Sequence, residues 1–206
     1  INRAPAKVQS ALLEAMQEKQ ITIANETFKL DKPFIVLATQ NPIEQDGTYP
    51  LPEAQQDRFL MKVKIEYPTK EEEKNILKLL TSTTDFDSIE IEEVLNKDKI
   101  EELKKLIKEI HIDEKLMDYI LDIIFKTRES NQYISCGASP RASIALVVSA
   151  KANAFLEGRD FVIPQDIKKV IFDVLRHRII LTYEAEAEGK DVEDIITDIM
   201  EGVELP

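Results

Sequence analysis

The sequence of 206 residues predicts an α/β segment followed by an all-α segment, with a boundary near residue 67. Two observations support this fold class. The run PFIVLAT is apolar and of strand length, which is typical of a strand buried on both faces of a parallel sheet. After Tyr67-Pro68, apolar residues recur at helical spacing. We therefore expect an α/β unit over 1–66, a helical unit over 67–183 and an acidic helix or tail over 184–206.

The α/β unit divides into short elements that differ in their hydrophobic period. A period near 3.6 predicts a helix over AKVQSALLEAMQEK, and alternation predicts a hairpin over ITIANETFKL with Asn25-Glu26 at its turn. The buried strand PFIVLAT follows. A polar loop, a short helix through AQQDR and a second strand over FLMKVKI complete the unit.

The helical unit is divided by residues that favour helix ends. Thr69 and Glu72 have the spacing of a capping box, in which each side chain accepts a hydrogen bond from a backbone N–H. Four other start signals precede apolar residues at helical spacing: Asp98, Asp113, Ser139-Pro140 and Pro164. Gly158 is expected to end the helix that Ser139 begins. The segment DVEDIITDIM predicts a last short helix, and the acidic residues from Glu184 onward are expected to face solvent.

Composition and charge exclude several classes of function. The net charge of -12 disfavours a main role in nucleic-acid binding, because a phosphate backbone would be repelled. The single cysteine, Cys136, forms no disulfide framework, and His111 and His177 have no zinc-site spacing. No apolar run reaches the roughly 18 residues of a membrane span, and no signal peptide is recognised. We expect a reduced, cytoplasmic protein with no metal site of its own.

Asn41 is the first candidate site residue. It lies just past the carboxyl end of the expected buried strand, where ligands bind in open α/β sheets. Its carboxamide both donates and accepts hydrogen bonds, so it can hold a water molecule and a phosphate oxygen together. Asn-Pro also starts ordinary turns, and spacing alone does not separate these two interpretations.

Arg141 and Arg58 are the candidate cations. Arg141 lies in the first turn of the helix that Ser139 begins, where a cation opposes the helix dipole at a cost of roughly 0.3–1 kcal/mol. That placement indicates an external anion, although a solvent-facing side chain or an ion pair with a nearby acid remains open. Arg58 ends the short helix, where a cation is favoured, or else it reaches a phosphate across a subunit boundary.

Other residue types offer less chemistry. None of the five glycines lies in GxxxxGK[ST] or GxGxxG, so the sequence contains no loop able to cradle a phosphate chain. Cys136 has no His or acid beside it in sequence and is expected to be a packed or linker residue. Glu44 and Asp46 are expected to be polar loop residues, with contacts to a partner as the alternative.

Four blocks in order resemble the MoxR family of AAA+ ATPases: INRAPAKVQSALLEAMQE, LATQNP, GTYPLPEAQQDRF and GASPRA. HRIILTYEAEAEG also resembles the C-terminal end of that family. The resemblance implies a partial AAA+ P-loop-type core followed by an all-α lid. It implies that Asn41 is sensor 1, that Arg58 is the arginine finger, and that Arg141 is sensor 2. The ITIANETFKL segment is similar to the pre-sensor-1 hairpin, and its single base argues against DNA as the substrate.

The same resemblance implies cofactors and partners. Family members carry Mg²⁺-binding acids directly before the INRAP block and a phosphate loop upstream of those acids. We therefore expect this chain to be a C-terminal portion that lacks both features and is inactive by itself. The parent protein is expected to hydrolyse ATP with Mg²⁺ in a ring, a hexamer, and to act as a chaperone on client complexes. A partner with a von Willebrand factor A domain is expected.

Several alternatives remain open at this stage. A magnesium-chelatase-like subunit shares the sensor arrangement, whereas a DNA helicase would need basic features that the sequence lacks. A non-catalytic interaction or adapter module is the alternative of a different class. The placement of Arg141 against the helix dipole argues against an adapter, and an effect of nucleotide on partner binding would separate the two.

Overall fold

A computed structural model describes residues 6–23, 26–40, 51–82, 92–129 and 131–206. Within these ranges the elements are, in chain order, α1 (Ala6–Glu18), β1 (Gln20–Ile23), β2 (Glu26–Lys29), α2 (Glu53–Gln56), α3 (Lys70–Leu80), α4 (Lys97–Glu109), α5 (Glu114–Lys126), β3 (Ile134–Cys136), α6 (Pro140–Leu156), α7 (Pro164–Leu175), β4 (Ile180–Leu181), α8 (Tyr183–Ala187) and α9 (Val192–Glu201). None of the helices in these ranges is long and apolar enough to cross a membrane.

The hydrophobic core lies in the helical unit, around α6. This helix packs against α7, α5 and α4, and α9 contacts α5 and α7. The largest fully buried apolar side chains are Ile120, Ile123, Ile124, Leu146, Ile167, Ile171, Val174, Leu175, Ile195 and Ile196. Each such side chain contributes roughly 1.5–3 kcal/mol when it is removed from water. The core therefore holds α5, α6, α7 and α9 together as one packed body.

Helix α6 is buried along one broad face of mostly small residues. The buried residues recur at helical spacing and are Ala142, Ala145, Leu146, Ser149, Ala150 and Ala154, whereas Ile144 and Val148 on the other side are exposed. Small side chains on this face allow the neighbouring helices to approach closely. The expected start at Ser139-Pro140 is confirmed, and the helix ends before Gly158, whose φ of +74° suits a residue without a Cβ.

The other predicted helix ends agree closely with the structure. Thr69 and Glu72 form the capping box of α3, and the Asp113 carboxylate accepts a hydrogen bond from the Lys115 N–H at 2.9 Å. The start near Asp98 needs a small correction. Helix α4 begins at Lys97, and Asn96 is the N-cap residue because its side chain accepts from the Lys99 N–H at 2.9 Å.

The acidic C-terminal segment is only partly solvated, which corrects the expectation from charge alone. Helix α9 buries Ile195, Ile196 and Ile199 against the core, while Glu193 and Asp194 lie in its first turn. Asp191 caps this helix by accepting hydrogen bonds from the N–H groups of both acids. The segment is therefore an amphipathic helix whose apolar face is packed.

A short antiparallel ladder within the helical unit was not predicted. Strand β3 pairs with β4, with Ile134 opposite Leu181 and Cys136 opposite Ile180. Strands of two and three residues give too little alternation to be recognised in a sequence. The ladder joins the loop that enters α6 to the segment that leaves α7.

The predicted hairpin is confirmed, with a shift at its turn. Strands β1 and β2 are antiparallel, with Ile21 opposite Phe28, and Glu26 belongs to β2 opposite Ile23. The turn expected at Asn25-Glu26 is therefore wrong at Glu26, and residues 24–25 lie outside the described ranges.

The strands predicted over PFIVLAT and FLMKVKI are wrong for this structure. Neither segment is assigned as a strand, and neither pairs with a strand among the described residues. Their apolar side chains are largely exposed, with Ile35 at 76% and Ile65 at 91% of full exposure. A strand needs a neighbour to satisfy its N–H and C=O groups, and the described part of this chain supplies none to these segments.

Candidate functional site

The side chain of Arg141 lies at the amino-terminal end of α6, as the sequence predicts. The hydroxyl of Ser139 accepts a hydrogen bond from the Arg141 N–H at 3.1 Å and so caps the helix. The Arg141 side chain is about half exposed, and its Nη1 donates to Asp57 Oδ2 at 3.0 Å. Of the interpretations left open by the sequence, an ion pair with a nearby acid is thus realised in this structure.

The loop that leads into α6 is fixed from behind by the end of α5. The Ala138 N–H donates to Thr127 Oγ1 at 3.0 Å, and Arg128 Nε donates to Ala138 O at 2.8 Å. Gly137 passes so close to Thr127 that an added Cβ would lie 2.3 Å from the Thr127 carbonyl oxygen. The position of Arg141 therefore depends on a close approach of two backbone segments.

Arg58 lies in a turn just after α2, and we refer to residues 57–60 as the arginine turn. The predicted helix through AQQDR ends at Gln56, and the N–H groups of Asp57 and Arg58 bond back to Glu53 O and Gln55 O. The side chain of Arg58 is partly buried. Its Nε and Nη1 atoms are inaccessible to water and have no hydrogen-bond partner in the described part of the chain.

The carboxylate of Asp57 joins the arginine turn to the helical unit. Besides Arg141, it accepts hydrogen bonds from Ser139 Oγ, at 3.0 and 2.8 Å to its two oxygens, and from Arg178 Nε at 3.0 Å. Its burial by itself raises its pKa. The hydrogen bonds from Arg141, Ser139 and Arg178 outweigh that effect and hold the pKa below its usual value. Asp57 is thus an anion that three donors share.

Arg178 is a buried cation that binds the arginine turn directly. Its side chain is 2% exposed. Besides the Asp57 carboxylate, it donates to Asp57 O at 3.2 Å, Phe59 O at 2.6 Å and Leu60 O at 3.2 Å, and it also bonds Val174 O at the end of α7. The planar fork of a guanidinium suits such a set of converging oxygens.

His177 lies beside Arg178 and also faces the arginine turn. Its Nε2 lies 3.1 Å from Phe59 O, while its Nδ1 is buried without a hydrogen-bond partner in the described ranges. Burial, assisted by the charge of Arg178, lowers its pKa from 6.5 to about 4. The imidazole is therefore neutral near pH 7, and it donates its Nε2 proton to the Phe59 carbonyl.

The structure brings two of the three predicted site residues to one region and leaves the third undescribed. Arg141 pairs with the Asp57 carboxylate, and Arg58 follows Asp57 in the same turn. Asn41 lies outside the described residues, as do Glu44 and Asp46. Cys136 is an exposed free thiol in β3.

A Mg²⁺ site is not found in the described ranges. No group of three or more His, Cys, Asp or Glu side chains there is arranged to hold a metal ion. The carboxylate nearest the two candidate arginines, Asp57, is already occupied by guanidinium and hydroxyl donors. The described residues therefore do not fit a Mg²⁺ ion, whereas the unpaired nitrogens of Arg58 fit an anion.

Sequence reasoning missed Asp57, Arg178 and His177. Asp57 precedes the predicted finger and showed no pattern of its own. His177-Arg178 lies in a block that carries the family resemblance, but nothing in its spacing points to residues about 120 positions earlier. The run Arg176-His177-Arg178, which follows the end of an apolar helix at Leu175, was a local signal of a functional contact.

Two family models match separate parts of the chain. The first describes the ATPase family associated with various cellular activities, AAA, and matches residues 1–61. The second describes an AAA lid domain and matches residues 126–199. The second match covers the core helices α6, α7 and α9 together with Arg141 and Arg178.

Curated relatives match the whole chain. Chaperone MoxR1 of Mycobacterium tuberculosis is 44% identical over 214 residues, and uncharacterized protein YeaC of Bacillus subtilis is 43% identical over 206 residues. Protein MoxR of Methylorubrum extorquens is 30% identical over 224 residues. Each alignment covers 100% of this chain, which spans 56%, 63% and 65% of the three relatives.

A solved structure has the same fold. The crystal structure of a protein from Cytophaga hutchinsonii that is assigned as an ATPase superposes with a TM-score of 0.91 at 47% identity. The match covers 100% of this chain and 64% of that one. With an AAA model over the first part, an AAA lid model over the second and MoxR proteins matching throughout, the chain belongs to the MoxR family of AAA+ ATPases.

Proposed function

We propose that this chain is the finger- and sensor-bearing portion of a MoxR-like ATPase. The whole protein hydrolyses ATP with Mg²⁺ in a ring of subunits, a hexamer, and uses the released energy to remodel or mature client protein complexes. The family match supports ATP hydrolysis, and one relative is named as a chaperone. We place the protein in the cytoplasm and expect a partner with a von Willebrand factor A domain on the strength of the family resemblance.

The observation that carries this proposal is the unpaired guanidinium of Arg58. Its Nε and Nη1 atoms are shielded from water and lack partners in the described ranges, although the neighbouring Asp57 is within the same turn. An unsatisfied buried donor costs roughly 1–3 kcal/mol, and more when it is charged. An anion supplied by another subunit would satisfy this group once the side chain turns outward, since the two nitrogens are shielded here. Phosphate oxygens suit a guanidinium because they accept two parallel hydrogen bonds.

The proposed roles follow from these positions. Arg58 stabilises the charge that develops on the transferred phosphoryl group in a neighbouring subunit, and Asn41 orients the attacking water. Arg141 contacts the phosphates from the lid of its own subunit. Because Arg141 is held by Asp57 here, binding of phosphate requires it to exchange one anion for another. The division into a core over 1–66 and a lid that begins at residue 67 remains a prediction.

Substitution of Arg58 tests the proposal in the full-length protein that contains this chain together with a phosphate-binding segment. We expect Arg58→Ala to lower kcat for ATP by on the order of 10³-fold, as for other arginine fingers, with little change in KM. Phosphate release at saturating ATP is the measurement. Arg58→Lys keeps the charge but loses the fork, and we expect it to recover only a small part of the rate.

The matched control removes a cation from an exposed ion pair. Lys169 pairs with Glu157 on the surface of the helical unit, and we expect Lys169→Ala to leave turnover unchanged. This 206-residue chain by itself should show no turnover, because its sequence contains no phosphate loop. Full activity of Arg58→Ala would show that Arg58 is not the arginine finger. Robust ATP turnover by this chain alone would refute the expectation that hydrolysis needs a phosphate loop from outside this sequence.

A further inference from the structure

Side chains of the helical unit hold the arginine turn in place by donating hydrogen bonds to the main chain of the turn. Arg178 Nη2 donates to the carbonyls on both sides of Arg58, at 3.2 Å to Asp57 O and 2.6 Å to Phe59 O. The contacts continue beyond the turn. The Lys62 N–H donates to Asp173 O at 2.8 Å, and Arg176 Nη1 donates to Lys62 O. The backbone around the candidate finger is thus fixed to the end of α7.

We infer that Arg178 is a positioning residue for Arg58, through which the lid of a subunit sets the arginine finger that the same subunit offers to its neighbour. This inference rests on the proposed function of Arg58. Arg178 itself is buried and reaches no phosphate, so it acts only by fixing the two peptide groups that flank Arg58. A displacement of about 1 Å at a catalytic group can lower a rate by on the order of 10²-fold.

The contact set distinguishes Arg178 from an arginine that only stabilises the fold. Arg159 is such a residue, because it pairs with the buried Asp166 and with Phe161 O, all within the helical unit. Arg178 instead directs three of its donors to the carbonyls of residues 57, 59 and 60. Its two remaining bonds go to Val174 O in α7 and to the Asp57 carboxylate in the arginine turn. Arg178 therefore links the arginine turn to α7.

The anchoring has a mechanical consequence. The end of α7 is part of the packed core, with Ile171, Val174 and Leu175 fully buried. A rigid-body movement of the lid would therefore carry the arginine turn with it, because a packed core does not deform continuously. The state of the lid in one subunit would thereby control whether Arg58 reaches the neighbouring site.

The test uses Arg178→Lys in the full-length protein, with Arg159→Lys as the matched control. Both variants lose a guanidinium that is hydrogen-bonded to a largely buried carboxylate, so both should lower Tm. We expect only Arg178→Lys to lower kcat, by on the order of 10²-fold with KM for ATP changed less than about threefold, because a finger acts in the transition state. Equal kcat values for the two variants, after correction for the folded fraction, would overturn the inference.

A double variant separates positioning from any other effect of Arg178. If Arg178 acts through Arg58, then Arg178→Lys should not lower kcat further in the background of Arg58→Ala. Additive losses of kcat would mean that Arg178 contributes by another route, which would also overturn the inference. If Arg58→Ala alone has no effect, the proposed function fails first, so the two failures are distinguishable.

Rings that mix two kinds of subunit separate a misplaced finger from a general structural defect. The measurement is ATP turnover at the site of the Arg178→Lys subunit. Subunits with Arg178→Lys are mixed with subunits that cannot bind nucleotide but keep Arg58 and Arg178. An intact finger from the second subunit should restore turnover at the first subunit's own site. If Arg178→Lys does not fold, Arg178→Gln, which keeps two uncharged N–H donors at this position, is used in the same experiment. Failure of the intact partner to restore turnover of a folded variant would contradict the inference.

Discussion

Asp57 shows how a single residue gathers distant parts of the chain. Its donors, Ser139, Arg141 and Arg178, lie 82, 84 and 121 positions away in sequence. Its side chain is only 14% exposed, so the loss of its charge would leave these donors without their shared acceptor. This carboxylate therefore holds the side chain of Arg141 in this structure, although Asp57 does not belong to the helical unit.

The lack of space for a Cβ at Gly137 predicts that substitution there destabilises the fold. A Cβ at this position would lie 2.3 Å from Thr127 O and 2.7 Å from Thr127 C, which are backbone atoms that cannot move aside. We expect Gly137→Ala to lower the free energy of unfolding by about 2 kcal/mol or more. Urea unfolding of the chain, followed by circular dichroism, measures this change.

Gly202 offers the matched control for that substitution. It has an αR conformation with φ of −82°, and an added Cβ would come no closer than 3.4 Å to another atom. Gly202→Ala should therefore change the free energy of unfolding by only a few tenths of a kcal/mol. Equal effects of the two substitutions would mean that the loop before α6 can yield, contrary to the geometry.

The lowered pKa of His177 predicts how the free energy of unfolding depends on pH. Its pKa is lowered from 6.5 to about 4 in the folded state, so the unfolded chain binds this proton more tightly. The contribution of neutral His177 to the free energy of unfolding is therefore fully present above about pH 6.5, and it is lost as the pH falls toward about 4. We expect a loss on the order of 2 kcal/mol between about pH 7 and pH 5.

Replacement of the imidazole separates this effect from that of the carboxylates. His177→Gln keeps a donor for Phe59 O but cannot titrate, so its free energy of unfolding should fall less steeply with decreasing pH. Urea unfolding at a series of pH values gives both slopes. Identical slopes for the two proteins would show that His177 does not govern stability in this range.

At the scale of elements, local signals were sufficient for helices and insufficient for strands. The capping box at Thr69, the Asp113 cap and the Ser139-Pro140 start are each satisfied by atoms within four residues. A strand instead depends on a partner that lies elsewhere. The segments PFIVLAT and FLMKVKI have the composition of buried strands but lack a described strand beside them.

The segments PFIVLAT and FLMKVKI predict self-association of the chain when it is expressed by itself. They expose apolar side chains and have no neighbouring strand among the described residues, which together favour pairing with another chain. We expect the mean mass measured by light scattering to rise with protein concentration. The double substitution Ile35→Lys and Ile65→Lys should suppress that rise, since both side chains are mostly exposed and no packing is lost.

A single exposed aromatic residue outside the segments serves as the control. Tyr183 is 90% exposed at the start of α8, and Tyr183→Lys should leave association unchanged. A chain that stays monomeric at every concentration would contradict the prediction. So would association that the double substitution does not weaken.

At the scale of the whole molecule, the candidate site lies where an α/β-side turn meets the packed helices. No residue of the arginine turn is fully buried, and polar groups from the end of α7 and the start of α6 bind it. This arrangement couples the predicted finger to the lid within one chain. His177 and Arg178, which the lid model matches, contact a candidate site whose named residues lie elsewhere in the chain.

The sequence by itself determined every described helix except α8, most of their caps, the hairpin, the family and the candidate arginines Arg58 and Arg141. These depend on residue spacing and on motifs, which are local properties of a chain. The small β3–β4 ladder, the packing of α9 under an acidic surface and the Asp57–Arg178 contact were decided only by the tertiary structure. Each of them joins residues far apart in sequence, and hydrogen bonds and apolar contacts of that kind form only once the core has placed their partners within reach.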